Sequence, residues 1–288
     1  GQEIGMIEDD PHWKCYMNLM KALFQHHPIR VSVAGSVESI AEITPETLYA
    51  CHKAFYDPAN MALCVAGPVD PEHICDVARE ILSKEAGPIA VKDYGEKEGP
   101  RAAQSYIEER MEVSAPIFQL GWKGDAQING EDRLRQELVG SLALEVLLGN
   151  SSPLYAKLYR EGLINQEFGY SYESSFGCAF LAADGESKAP EAVCAAVAAE
   201  AARIGREGVD PALWERVKKG VYGNRVRGLN SFENLCVGQA QAFFTGYDFL
   251  RFADIFDAIT KEEAEELIAS WVTGERTALS VVRAKEET

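Results

Sequence analysis

Histidine is scarce, and its spacing is wrong for a metal site on a helix. The five histidines lie at 12, 26, 27, 52 and 73. None belongs to a His-Glu-x-x-His or His-x-x-Glu-His arrangement, so no helix of this chain can offer two imidazoles to one ion. His26 and His27 are adjacent and point apart on any regular element. There is no Gly-x-Ser-x-Gly elbow, no glycine-rich phosphate loop and no Cys–His signature, so serine hydrolase, nucleotide-binding and cysteine protease chemistries find no support. Long apolar runs are also missing. Ala189 to Ile204 comes closest, but Glu191, Glu200 and Arg203 interrupt it, well short of the roughly 18 uncharged residues a membrane span needs. No Cys-x-x-Cys occurs among the seven cysteines, an odd number without a disulfide-like framework. Cys64 and Cys194 sit in apolar contexts where a thiol behaves as a small hydrophobe. A reducing, cytoplasmic compartment is expected. Positive charge is in deficit: 28 basic against 45 acidic residues leave −17, a field that repels phosphate backbones and argues against a nucleic-acid partner. Neither a basic n-region nor an apolar h-region opens the chain, so no targeting signal is read.

What is present is an ordinary globular composition with clear helix punctuation. At 288 residues and 47% hydrophobic, the chain is long enough for about two domains. Gly1-Gln-Glu-Ile-Gly-Met-Ile-Glu8 already looks helical, which predicts that residues upstream are missing, as in a processed fragment. Trp13, Met17, Met20 and Phe24 recur at helical spacing after Pro11. Thr44-Pro45-Glu46 starts a helix to about Tyr56 that should carry Leu48, Cys51 and Phe55 inward, and Asp70-Pro71-Glu72 starts another to about Leu82. Between them, Asn60 to Ala66 reads as a buried strand. Residues 84–104 are charged and turn-rich, and the linker is drawn at 91–104. Beyond it, strands are predicted at 105–113, 116–121, 167–174, 177–183 and 276–284. Helices are predicted at 131–148, 190–205, 211–228, 231–245 and 261–272, with a shorter one after Ser152-Pro153. Thr260-Lys-Glu-Glu263 has the form of a capping box. Strands pair more than they alternate with helices, which favours an α+β class with an antiparallel-rich sheet.

Several stretches resemble a known family. They are Glu3-Ile4 with Asp9-Asp10-Pro11, Leu23-Phe24-x-x-His27-Pro28, and Gly35-Ser36 with Ile40, Ile43 and Thr44. The series continues through His52-x-x-Phe55-Tyr56-x-Pro58-x-Asn60-Met61 and Val65-Ala-Gly67-x-Val69-Asp70. Further on come Ser151-Ser152-Pro-Leu154-Tyr155-x-x-Leu158-Tyr159-x-x-Gly162-Leu163-Ile164. In order and spacing, over nearly the whole chain, this resembles the pitrilysin/insulinase-type (inverzincin) zinc metallopeptidases, in the portion downstream of their His-x-x-Glu-His segment.

The resemblance implies two α+β domains, each an antiparallel-rich sheet with helices packed on one face. Residues 1–90 would be the C-terminal part of the first, zinc-bearing domain, here incomplete; 91–104 the linker; and 105–288 a second, non-catalytic, peptidase-like domain. It implies a portion of a zinc-dependent endopeptidase that encloses and cleaves unfolded or short peptides, with Glu3 as the third zinc ligand. The histidine pair and general base would precede Gly1, so zinc belongs to the full-length protein and none is expected in this fragment. One monodentate glutamate cannot retain the ion, and the fragment alone should be inactive. The turn Gly149-Asn-Ser-Ser152 is either a substrate-facing loop or a simple helix-to-helix turn. The expected partners are a peptide substrate and another peptidase-like chain in a homo- or heterodimer, with no nucleic acid and no membrane. The alternative reading is a non-catalytic partner or scaffold subunit of a peptidase-like heterodimer. A third is a structural core subunit of a larger assembly, against which stands the lack of any basic or membrane-contacting segment.

Overall fold

The structure is a computed structural model that describes residues 1–82, 87–89, 91–126, 130–175 and 177–285. Its centre is one five-stranded sheet made of β1 (Tyr106–Met111), β2 (Ile117–Lys123), β3 (Gly169–Ser175), β4 (Cys178–Glu186) and β5 (Thr277–Ala284). The strand order is β1-β5-β2-β4-β3. Only β1 and β5 run parallel; every other neighbouring pair is antiparallel. The α+β class read from the sequence is the observed one.

Alternation along the strands explains how both faces become buried. On β4, Ala179, Leu181 and Ala183 face one layer, and Cys178, Phe180 and Ala182 face the other. The first face carries the main core. There α6 (Gly130–Leu148), α8 (Pro190–Glu207) and α12 (Lys261–Trp271) pack with Phe118, Leu120 and Trp122 of β2. The opposite face is covered by α2 (Pro11–Leu23), a helix from the far N-terminal end of the sequence. Asp10 caps α2, its carboxylate accepting from the N–H groups of His12 and Trp13, and Pro11 occupies the first turn where no N–H is needed. Leu19, Met20, Leu23 and Phe24 then seal against Phe180, Ala182 and Ala278.

Residues 31–82 behave differently. Helices α4 (Pro45–Phe55) and α5 (Pro71–Ile81) form where their caps predict, and a short helix α3 (Val37–Ala41) that the sequence reading did not place precedes them, yet none of the three buries a residue. Leu48, Cys51 and Phe55, expected to point inward, are exposed. The run predicted as a strand, 60–66, belongs to no sheet. The physical reason is pairing: a strand exists only by exchanging backbone hydrogen bonds with a neighbour, and no described residue offers one here. Part of the turn-rich stretch, residues 83–86 and 90, lies outside the described residues.

The described part of residues 91–104, read from the sequence as a linker, does not run free. Glu98 accepts hydrogen bonds from the backbone N–H groups of Gln25, His26 and His27 just past α2. Its carboxylate also meets Lys123 Nζ, 2.5 Å away at the end of β2. Lys123 is 2% exposed and donates as well to the Arg101 carbonyl at 3.1 Å.

Candidate functional site

Glu3 stands exposed on α1 (Gln2–Glu8), whose inward contact is made by Ile4. The histidines are dispersed. His12 opens α2, His27 is buried with its ring stacked on Tyr94 at 5.8 Å, His52 stacks on Tyr56 at 4.9 Å, and His73 lies on α5. Among the described residues no three His, Cys, Asp or Glu side chains gather into a metal-sized cluster. A zinc site takes three or more protein ligands, so these residues do not by themselves fit the ion. The Gly149–Ser152 turn links α6 to α7 (Pro153–Arg160), where the Ser152 hydroxyl caps α7 by accepting from Tyr155 N–H at 3.0 Å.

A concave feature lies at the outer edge of the sheet. Among the described residues, strand β3 pairs with β4 on one side only. The Ala179 carbonyl accepts from Gly124 N–H at 2.8 Å on the β2 side, and Ala179 is the register partner of Ser174. Ser174 and Ala179 are therefore a non-hydrogen-bonded pair, and by alternation so are Tyr172–Leu181 and Tyr170–Ala183. The backbone N–H and C=O groups of Tyr170, Tyr172 and Ser174 consequently point away from the sheet. Facing this edge is α10 (Phe232–Thr245), which buries only Ala242 and Thr245 and leaves Val237 52% and Phe244 45% exposed. Between strand and helix runs a groove of about 530 Å³ that also touches Arg133, Glu137 and Tyr172. This volume lies within the range of small-ligand and short-peptide sites.

Local packing holds the strand side of this groove rigid. Tyr172 lies against the Cα of Gly140 on α6, where an added Cβ would come within 2.3 Å of the ring. On its other side it stacks on Trp271 at 6.2 Å, and its hydroxyl donates to Gln136 Oε1 at 3.1 Å. Tyr170 O–H donates to Glu145 at 2.6 Å. Burial first, and then the neighbouring glutamates, push both phenols above their ordinary range, so they remain O–H donors at physiological pH. Glu137 is held by Arg225 at 2.6 Å, and Arg133 donates from Nη2 to the Ser174 carbonyl at 3.1 Å. The arrangement offers a row of main-chain donors and acceptors beside an apolar wall, which is how sheet edges capture extended peptides.

Sequence reasoning placed β3 and α10 correctly but did not join them. The alternating aromatic and polar residues at 170–174, and the seven-residue spacing of Val237 and Phe244, were the available signals.

A family model described as the peptidase M16 inactive domain matches residues 42–221, more than half of the chain. The chain belongs to the M16 peptidase family. The zinc protease YmfH of Bacillus subtilis is 31% identical over 279 residues, covering 96% of this chain and 65% of YmfH. An M16-like peptidase from Alicyclobacillus acidocaldarius has a crystal structure that superposes with a TM-score of 0.92 at 28% identity, covering 99% of this chain and 68% of that one. A peptidase M16 inactive domain from Pseudomonas fluorescens superposes with a TM-score of 0.81 at 15% identity, a likeness of fold. The chain thus spans about two thirds of the relatives it matches. The pitrilysin/insulinase resemblance seen in the sequence is a true family membership. The M16 match also runs across residues 91–104, where Glu98 joins the end of α2 to β2.

Proposed function

We propose that this chain is the substrate-holding portion of a zinc-dependent endopeptidase acting on unfolded or short peptides, and that an extended peptide binds by adding a strand to the outer edge of β3. The observation that carries this reading is the outward row of Tyr170, Tyr172 and Ser174 backbone groups opposite the exposed wall of α10. Backbone pairing favours any extended chain and rejects a folded one, which suits a peptidase of unfolded substrates. Zinc and the catalytic histidines belong to the complete protein, in which Glu3 acts as the third ligand; the 288-residue chain binds peptide without cleaving it. Seven unpaired cysteines support a reducing, cytoplasmic setting, and no described helix is long and apolar enough to cross a membrane.

Hydrogen–deuterium exchange tests the binding mode. Adding an unstructured labelled peptide should slow exchange at the amides of Tyr170, Tyr172 and Ser174 by tenfold or more. Amides already bonded to β4, such as Ser171 and Glu173, should change little. Binding that protects only other segments, or no binding at millimolar peptide, would remove the reading.

A second reading, a non-catalytic partner of another peptidase-like chain, is favoured by the family model's description as an inactive domain. Metal analysis and a peptide-cleavage assay on the complete protein separate the two. Stoichiometric zinc with turnover selects the enzyme, and their joint absence selects the partner.

A further inference from the structure

The groove beside β3 carries a charge that its own residues leave unneutralised. Arg133, in the first turn of α6, is half-buried and its Nη2 is fixed on the Ser174 carbonyl at 3.1 Å. Among the described residues no carboxylate lies within ion-pair distance of its guanidinium. The nearby acids are otherwise engaged: Glu137 pairs with Arg225 at 2.6 Å, and Tyr170 donates to Glu145 at 2.6 Å. Glu173 also lines the groove, but it sits on β3 between Tyr172 and Ser174, and alternation turns its side chain toward the α2 face of the sheet, where its charge acts on Tyr16 and Cys178. A guanidinium has five N–H donors in a planar fork, and a single carbonyl leaves most of that fork available to a bidentate carboxylate.

We propose that this groove selects an extended peptide with an aspartate or glutamate side chain two residues from an apolar one, the carboxylate on Arg133 and the apolar side chain against Val237 and Phe244. The proposal rests on the strand-addition reading above and adds the substrate class to it. The spacing follows from the geometry of a strand. Side chains at i and i+2 emerge on the same face, roughly 6.5–7 Å apart, and on a peptide paired with β3 that face looks toward α6 and α10. The net charge of −17 opposes an acidic ligand only weakly. Charges more than about 8–10 Å away are screened at physiological salt, whereas a charge-assisted hydrogen bond at short range is among the strongest polar contacts. The local cation wins.

The test uses the 288-residue chain and labelled, C-terminally amidated octapeptides in which Phe and Asp stand two apart. The Asp peptide should bind at least tenfold more tightly than its Asn counterpart, and the difference should shrink as salt rises. Arg133→Gln should erase the difference, binding both peptides as wild type binds the Asn form. Arg133→Glu should restore tight binding to a peptide with Lys at that position, which shows that a weakened variant has kept its fold. Equal affinity for Asp and Asn peptides, with Tyr170, Tyr172 and Ser174 still protected, would overturn the acidic preference and leave strand addition standing. An Asn peptide with a free C-terminus that binds as tightly as the amidated Asp peptide would assign Arg133 to the chain terminus and overturn the side-chain assignment. Loss of edge protection with every peptide would remove both readings.

Discussion

At the scale of single residues, Glu98 draws bonds from Lys123 and from the backbone N–H groups of Gln25, His26 and His27. Burial alone would raise its pKa, but Lys123 and the N–H groups of residues 25–27 outweigh burial and hold the carboxyl at about 2. Its ordinary value is 4.5. A carboxyl depressed on folding stabilises the native state above its unfolded pKa, and that contribution fades as pH falls from about 5 toward 2. The size of the shift corresponds to roughly 3 kcal/mol. Denaturant titrations should therefore show wild type losing stability through this window, and Glu98→Gln should lack most of that loss. At neutral pH, Glu98→Gln should cost about 3 kcal/mol or more, because Lys123 is left buried and unpaired. The double variant Glu98→Gln/Lys123→Met should recover much of it. Equal pH profiles for wild type and Glu98→Gln would show that the clasp contributes nothing. The sequence displayed both residues, but no local pattern could pair a linker glutamate with a strand lysine 25 positions away.

At the scale of elements, the contact of α6 with β3 sets the shape of the groove, and glycine permits it. In an isolated helix, Gly140→Ala should stabilise by up to about 1 kcal/mol. Here the new Cβ would meet the Tyr172 ring at 2.3 Å, and that ring is trapped between α6 and Trp271. Overpacking of this kind costs about 1–3 kcal/mol, so Gly140→Ala should lower Tm and weaken peptide binding by displacing β3. Gly223→Ala, on α9 (Pro211–Gly228) with no atom within 4 Å of the added carbon, should be neutral or stabilising. If the two substitutions behaved alike in thermal melts, the close approach would not matter. Helix starts were the most legible feature of the sequence. Pro45, Pro71, Pro153, Pro190, Pro211 and the Thr260 capping box all open helices as read. The run at 60–66 was misread because apolar composition makes a strand only where a partner strand waits.

For the whole molecule, the exposed apolar residues of α4 and α5 contrast with the dense core around β2. The zinc proposal belongs to this scale as well, because Glu3 would act as a ligand only together with others that the described residues do not bring to it. In the complete protein, Glu3→Gln would replace an anionic oxygen donor with a neutral amide. It should lower zinc content and cut turnover by about two orders of magnitude or more, roughly 3 kcal/mol. Glu8→Gln, on the same helix and also exposed, should change stability by no more than about 0.5 kcal/mol. Equal zinc and equal activity in the two variants would mean that Glu3 is a surface glutamate.

The sequence by itself determined the local elements, the α+β class and the family, because caps, prolines and alternation act over a few residues and survive in isolation. It also displayed Glu3, Arg133, Glu98 and Lys123 as charges without saying what they face. Tertiary structure alone decided that α2 covers the far face of the sheet and that β3 is an edge. It also decided that α10 stands across from that edge and that Arg133 meets no carboxylate among the described residues. These are relations between residues distant in the chain. They depend on which backbone groups are already paired, and only the folded neighbourhood supplies that information.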